Sequence, residues 1–308
     1  MKNVLVITYS QSGQLEQIVN NVTSRFGENV SLDWIKLKPV PAFPFPWKGI
    51  SFWDAMPESV ELIPSDLEPL NVDSNKEYDI VILGYPIWFL SPPIPLTTFL
   101  KSKEGSSILN GKPVVTVLGA RNMWVGAQEQ IKTMIADCGG RLVGNIVLVD
   151  RHLNLPSVVT IIHWMTTGKK DRYLGIFPKP GVSDKDIEEA DRFSSTIDLA
   201  IQTGNYNDLQ NKLLDQKSVR LTPDIVSMEE KAKRIFGIWS KFILKKGGPG
   251  SEARIPRLKM FSRYLLFIIF VVSPIASLVY YLTWPLFFIR IRKKLKYYKG
   301  VSLKVKKK

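Results

Sequence analysis

The stretch "VLVITYSQSGQLEQIVNNV", residues 4–22, decides the fold. Its first part, Val4–Thr8, is continuously apolar or β-branched, which is typical of a strand buried on both faces. From Leu15 onward the apolar residues recur at helical spacing, at Leu15, Ile18, Val19 and Val22. A strand that passes directly into a helix is the unit from which parallel α/β sheets are built.

The turn between this strand and this helix reads Ser10-Gln11-Ser12-Gly13-Gln14. A turn that opens a helix presents free backbone N–H groups at the positive end of the helix dipole. Two hydroxyl groups and a glycine at that point indicate a phosphate cradle. The same residues are also ordinary turn and N-cap residues, so a simple helix start is the alternative.

Four further segments predict the rest of the sheet. Strands are predicted at Leu32–Leu37, Asp79–Gly84, Val114–Gly119 and Ile146–Val149, with a helix over residues 126–138. This alternation predicts an α/β fold with a doubly wound, parallel, five-stranded sheet. Ligands bind such sheets at the carboxyl ends of the strands. Here those ends are Tyr9–Gln14, Tyr85–Leu90 and Ala120–Trp124.

The composition restricts the classes of function. The formal charge is +14, but no Asp or Glu follows Glu252, whereas fourteen of the 42 Lys and Arg residues do. The first 252 residues therefore hold 28 bases and 28 acids, and the excess charge belongs to the tail. This distribution favours an anionic membrane surface as partner and argues against nucleic acid. One cysteine, Cys138, and two separated histidines exclude a disulfide framework and predict no metal site.

An irregular stretch at residues 39–78 separates the second and third predicted strands. It contains Phe43, Phe45, Trp47, Phe52 and Trp53 together with seven prolines. Its aromatic content argues against disorder. Two interpretations of this stretch stay open: it is a lid packed on the sheet edge, or it is an apolar wall for a hydrophobic substrate.

The sequence predicts three parts. Residues 1–205 form the α/β domain, residues 206–252 a helical extension, and residues 253–308 a basic tail. Within the tail, residues 265–289 carry no charge and are long enough to span a bilayer. We expect this segment to dip into the membrane and return through a bend at Ser273-Pro274, since basic residues flank both ends. A bent single span is the alternative. The apparent lack of a signal peptide predicts the cytoplasmic face of the inner membrane.

Three motifs at the strand ends resemble the flavin loops of flavodoxin-like proteins. They are Tyr9-Ser10-x-x-Gly13-x-Leu15, Gly84-Tyr85-Pro86-Ile87-Trp88 and Gly119-Ala120-Arg121-Asn122-Met123-Trp124. The resemblance implies FMN as cofactor, with NAD(P)H as an optional reductant. The implied contacts are Ser10, Gln11, Ser12, Gly13, Gln14, Pro86, Ile87, Trp88, Gly119, Arg121, Asn122 and Trp124. Leu15 departs from the pattern of small flavodoxins, which usually place a hydroxyl residue there; the quinone-reductase branch tolerates an aliphatic one.

The whole chain, including its basic tail, resembles the bacterial dialkylresorcinol-condensing family. That resemblance implies an aromatase acting on a hydrophobic, alkylated small molecule alongside a ketosynthase-type partner. Arg121 would then stabilise an oxyanion and His152 would act as base, although structural roles are the alternative for each. A flavin-dependent NAD(P)H:quinone reductase and a non-enzymatic membrane scaffold are the competing functions.

Overall fold

The computed structural model describes residues 1–73 and 76–303, without the side chains of residues 285–287. The end of the predicted basic tail, residues 304–308, lies outside the described residues. Within the described part, five parallel strands form the central sheet: β1 (Lys2–Thr8), β2 (Val30–Lys36), β3 (Ile80–Pro86), β4 (Pro113–Ala120) and β5 (Arg141–Val149).

The strand order β2-β1-β3-β4-β5 is that of the flavodoxin-like doubly wound fold. Val6 in β1 pairs with Trp34 of β2 on one side and with Ile82 of β3 on the other. Residues Val4 to Ile7 are completely buried, as a strand covered by helices on both faces requires. The predicted fold class is confirmed, and each predicted strand is present with somewhat different ends.

Helices cover both faces of the sheet and continue beyond it. In chain order they are α1 (Gln14–Thr23), α2 (Ser51–Asp54), α3 (Met56–Val60), α4 (Ile94–Lys101), α5 (Lys103–Leu109), α6 (Val125–Asp137), α7 (Asn154–Thr167), α8 (Asp184–Glu188), α9 (Ser194–Thr203), α10 (Leu209–Asp215), α11 (Pro223–Leu244), α12 (Ile255–Phe267) and α13 (Ser273–Lys299). Short 3₁₀ turns span Tyr173–Gly175, Glu189–Phe193 and Glu252–Arg254, and a π-helical turn spans Ile268–Val272.

The aromatic stretch at residues 39–78 is ordered where it is described. It contains α2, α3 and a two-stranded ladder that pairs Pro39–Val40 with Asp66–Leu67. Trp47 and Ala55 belong to the main core, which centres on the sheet. Met56 joins a smaller second core with residues of α11 and α12, namely Phe236, Ile243, Leu258 and Phe261. The stretch therefore connects the sheet domain to the C-terminal helices.

The predicted bend at Ser273-Pro274 is wrong. Ser273 has helical dihedral angles, φ −63° and ψ −41°, and the helical run continues through it. Proline lacks a backbone N–H and clashes with the preceding turn of a regular helix. The π-helical turn at Ile268–Val272 lies directly before Ser273-Pro274, and a widened turn of this kind accommodates the proline without a break.

The chain nevertheless turns back later, within α13. Ser277 contacts Met228 of α11, and the Tyr298 hydroxyl donates a hydrogen bond to Glu230 of the same helix at 2.7 Å. A straight helix would separate Ser277 from Tyr298 by about 32 Å, far more than the spacing of Met228 and Glu230. We call residues 255–299 the arm, with an outgoing half at 255–284 and a return half at 290–299. Both halves pack beside α11.

Candidate functional site

A cleft of about 270 Å³ opens at the carboxyl ends of β1, β3 and β4. This is the edge at which doubly wound sheets bind ligands, beside the point where the strand order reverses. The cleft is lined by the three predicted loops, by the aromatic stretch and by α7: Ser10, Gln11, Ser12, Gln14, Leu15, Phe45, Trp47, Phe52, Pro86, Ile87, Trp88, Phe89, Gly119, Ala120, Arg121, Ile161, Trp164, Met165 and Gly181.

The first loop ends in an open helix N-terminus. Gly13 precedes α1 in the left-handed conformation, with φ 81°, which a glycine adopts without strain. No side chain caps this N-terminus, so its first N–H groups lack helical partners. The Ser10 hydroxyl is also buried, and the described part of the chain offers it no hydrogen-bond partner. Unused donors of this kind fit the phosphate group of FMN.

Two glutamines fix the position of this loop. The Gln14 side-chain amide donates to the Val182 carbonyl at 3.2 Å and accepts from the Val182 N–H at 3.1 Å. The Gln11 amide donates to the Pro44 carbonyl at 2.9 Å and so ties the loop to the aromatic stretch. Because both side chains already have partners, Ser10 and the backbone N–H groups remain for a ligand.

The second loop presents an indole to the cleft. Trp88 packs edge-on against Tyr9, Phe43 and Trp47, with ring centroids 5.6, 5.0 and 5.5 Å apart. The two residues after it, Phe89 and Leu90, have positive φ angles of 49° and 62°. Such angles are uncommon for side chains of this size and store backbone strain, which is concentrated at ligand sites in many proteins.

The aromatic stretch forms one wall of the cleft. Phe45, Trp47 and Phe52 all line it, and Phe52 packs on Phe89 with ring centroids 4.6 Å apart. The stretch therefore packs on the domain and lines the cleft at once. Helix α7 adjoins this wall and contributes Ile161, Trp164 and Met165, which the sequence analysis did not assign to a site. Their only sequence signal was an apolar helix pattern after the last strand.

The third loop supplies the cation of the cleft. Arg121 donates a hydrogen bond to the Asn154 side-chain oxygen at 2.7 Å, and Asn122 donates to the same oxygen at 2.9 Å. Burial lowers the pKa of Arg121 to about 10, and Asp150 acts in the opposite direction. The guanidinium therefore remains charged at neutral pH and is oriented by Asn154, so it can stabilise an oxyanion in the cleft.

Four predicted site residues lie outside the cleft lining: Gly13, Asn122, Trp124 and the predicted base His152. Trp124 is 1% exposed and packs in the main core just before α6. Asn122 turns towards Asn154. His152 contacts Asp150, with 2.6 Å between its Nδ1 and a carboxylate oxygen, and its side chain is 40% exposed.

Asp150 is a residue that the sequence reasoning missed. It is almost fully buried and also accepts a hydrogen bond from the Ser157 hydroxyl at 2.6 Å. Its place directly after β5 was the available signal, because acidic residues at strand ends of parallel sheets commonly serve the ligand edge. The other histidine, His163, faces Asp171 and Tyr173. No group of three potential metal ligands occurs among the residues described.

The helical extension reaches the back of the third loop. Glu229 of α11 is buried, and its carboxylate accepts a hydrogen bond from the Gly126 N–H at 2.6 Å, at the start of α6. Lys233 donates to the Gly126 carbonyl at 2.7 Å. Burial raises the pKa of Glu229 to about 7 and lowers that of Lys233 to about 8. A partly titrating pair therefore holds the segment that follows Gly119–Trp124.

No family model matches the chain, and no curated protein matches it. Solved structures similar to it include a flavoprotein in complex with FMN from Lactobacillus acidophilus, at 16% identity, 48% coverage of this chain, 93% coverage of that chain and a TM-score of 0.39. A flavodoxin from the domain Archaea is 15% identical, with 65% of this chain and 99% of that chain covered and a TM-score of 0.34. An FMN-dependent NADH-azoreductase from Bacillus anthracis, in complex with FMN, is 8% identical, with 67% of this chain and 100% of that chain covered and a TM-score of 0.33. The fold assignment rests on the strand order.

Proposed function

We propose that this chain is an FMN-dependent oxidoreductase that acts on a hydrophobic ring compound at a membrane surface. One observation carries the proposal. Loops from three neighbouring strand ends meet around a single cleft that combines unused hydrogen-bond donors with an aromatic wall.

The phosphate end is the first loop. The Ser10 hydroxyl and the N–H groups of Ser12, Gly13 and Gln14 are the donors that would hold the FMN phosphate, with the dipole of α1 behind them. Leu15 lines the cleft beside them, so no hydroxyl is available at that position. The donors present suffice for one phosphate group without it.

The ring end lies between the second and third loops. Ile87, Trp88 and Gly119 would border the flat isoalloxazine, since aromatic and backbone surfaces stack well on planar rings. When bound, the flavin supplies a two-electron acceptor. Arg121 is the cation that would hold a developing negative charge on a substrate oxygen.

The aromatic wall indicates the substrate class. Trp47, Phe52 and Phe89 offer a carbon surface that suits a ring with alkyl substituents. In finer detail we propose oxidation of a 2,5-dialkylcyclohexane-1,3-dione to a dialkylresorcinol, as the resemblance to the dialkylresorcinol-condensing family implies. The ring loses two hydrogens, as two electrons and two protons, and the flavin is the oxidant. Since His152 lies outside the cleft lining, the proposal assigns it no proton transfer.

The arm is the proposed membrane attachment. Within the described residues one helix, Glu252–Trp284, is long and apolar enough to cross a bilayer, and none of its most apolar window is buried. Because the return half of the arm contacts Glu230, both basic flanks lie on the side of the sheet domain. We therefore propose a membrane-associated protein whose arm enters one leaflet and returns.

The test uses the full chain purified in detergent. A visible flavin spectrum, and FMN in the supernatant after denaturation, support the proposal; a chain that stays colourless after incubation with FMN refutes it. Under anaerobic conditions, bleaching of the bound flavin by a dialkylcyclohexanedione supports the finer reaction. Bleaching by NAD(P)H but not by the dione would replace it with quinone reduction.

A further inference from the structure

A second cavity, of about 700 Å³, lies between α11 and the two halves of the arm. It shares no lining residue with the cleft. Its walls are mainly apolar and come from all three segments, with Val226 from α11, Ile275, Ala276, Val279 and Trp284 from the outgoing half, and Leu295 from the return half. The bend within α13 creates this cavity, because it places the return half opposite the outgoing half.

The charged residues that line this cavity are all cations. Lys231 comes from α11, and Arg290 and Lys294 come from the return half of the arm. Lys294 pairs with Glu230, whereas no contact in the described part of the chain pairs Lys231 or Arg290 with an acid. An apolar cavity with two such cations at its margin is complementary to an amphiphile that carries a negative charge.

The cavity is open along the outgoing half of the arm. Ile275 and Val279 line it and are nevertheless 60% and 53% exposed. On the same half, Leu278 and Leu282 are 62% and 73% exposed. A bilayer around the arm would cover these side chains, and an acyl chain from that bilayer can enter sideways without passing through water.

We propose that this cavity binds one anionic phospholipid. An acyl chain lies between the two halves of the arm, and the headgroup phosphate contacts Lys231 and Arg290. A zwitterionic lipid carries a compensating positive charge and gains less from these two cations. The site stands apart from the flavin cleft, so its failure would leave the proposed oxidoreductase function intact.

The experiment uses Trp284 as an internal probe. Full-length protein in detergent is titrated with phosphatidylglycerol brominated in its acyl chains, because bromine quenches tryptophan fluorescence on contact. The quenching measured in the same titration of Trp284→Phe is subtracted from that of the wild type, which leaves the signal of Trp284 without that of the seven other tryptophans. Phosphatidylcholine with identical brominated chains is the second ligand.

We expect saturable quenching at about one phosphatidylglycerol per chain and about tenfold weaker binding of phosphatidylcholine. Lys231→Gln/Arg290→Gln should abolish that preference, and Ala276→Phe should weaken both lipids by filling the cavity. Arg234→Gln/Lys241→Gln removes equal charge from exposed positions of α11 outside the cavity and should behave as wild type. Quenching that rises without saturation, or equally with both lipids in wild type, would overturn the proposal.

Discussion

The sheet domain and the C-terminal helices are held together in different ways. In the sheet, whole strands are buried, and residues such as Val4, Val81 and Val114 have no exposed surface. The second core is small, and a few polar contacts fix its position: Arg254 with Asp54 and Glu58, and Glu229 with Gly126. Apolar burial is tolerant of small changes, whereas a buried ion pair fails once one partner is removed. The two regions should therefore respond differently to single substitutions.

The largest expected effect is at Arg254. This side chain is fully buried and contacts Asp54 at 2.6 Å and Glu58 at 2.7 Å. Arg254→Ala leaves the buried Glu58 and the partly exposed Asp54 without a cation, so we expect a loss of about 3–5 kcal/mol in the free energy of unfolding. Urea unfolding in detergent measures it.

Arg263→Ala, an exposed position on the same arm, is the control and should stay within about 0.5 kcal/mol of wild type. The triple variant Arg254→Met/Asp54→Asn/Glu58→Gln should recover most of the loss, because it removes the charges together. Equal stability of Arg254→Ala and wild type would mean that the second core does not depend on this contact.

Glu229 should make stability depend on pH. Its pKa is raised from 4.5 to about 7, so the folded state retains a proton that the unfolded state has released in this range. The stabilisation is complete below pH 4.5 and is lost as the pH rises through about 7, by up to about 3 kcal/mol.

Glu229→Gln keeps an acceptor for the Gly126 N–H but cannot ionise. Unfolding free energies of this variant and wild type, measured between pH 4.5 and pH 8, should therefore converge at the acid end, with the variant more stable at neutral pH. Glu188→Gln, at an exposed site, should follow the wild-type curve. Parallel curves for Glu229→Gln and wild type would rule out this titration.

Within the sheet domain, apolar positions should tolerate small changes, but the loop proposed to hold the FMN phosphate, Ser10–Gln14, should not. Ser12→Asp places a carboxylate against the expected phosphate and should weaken FMN binding at least about a hundredfold, or about 2.7 kcal/mol. Flavin fluorescence titration measures it. Ser24→Asp adds the same charge at the other end of α1 and should leave affinity unchanged. Wild-type affinity in Ser12→Asp would remove the phosphate site from this loop.

The smallest expected effect is on FMN affinity, and it distinguishes Trp88 from Trp124. Trp88 lines the cleft, so Trp88→Leu should weaken FMN binding about fivefold, in keeping with about 1 kcal/mol for a stacked aromatic. Trp124 lies in the core, and Trp124→Phe should change stability rather than FMN affinity. The reverse ranking in a flavin titration would restore Trp124 as the FMN contact that the resemblance implied.

The sheet and the position of its ligand edge were predictable from sequence because buried parallel strands leave local signals. Val4–Thr8 and the loop after it needed no information from distant residues. The neighbours of Trp88 and Trp124 are set by tertiary packing, so the resemblance to flavodoxin-like loops implied the same role, an FMN contact, for both. Likewise, Asp150 lies two residues before His152, but only the folded chain shows that it is buried and that it holds that ring.

The arm was predictable in composition and not in shape. Its apolar run and basic flanks are visible in the sequence, and they predicted a return to the same side. The location of the turn was wrong because Pro274 was taken as the break, although a π-helical turn accommodates it. The contacts that reveal the actual reversal, from Met228 to Ser277 and from Glu230 to Tyr298, join residues far apart in the chain.

The reversal within α13 bears on the membrane attachment proposed above. Both ends of the apolar run remain beside the sheet domain, so the basic residues after the turn have no need of a translocation channel. The acids that receive the return half, Glu129 and Glu230, lie on α6 and α11, which precede the arm in the chain and can fold first. The proposed attachment would then be the docking of an already folded domain through a segment that forms late.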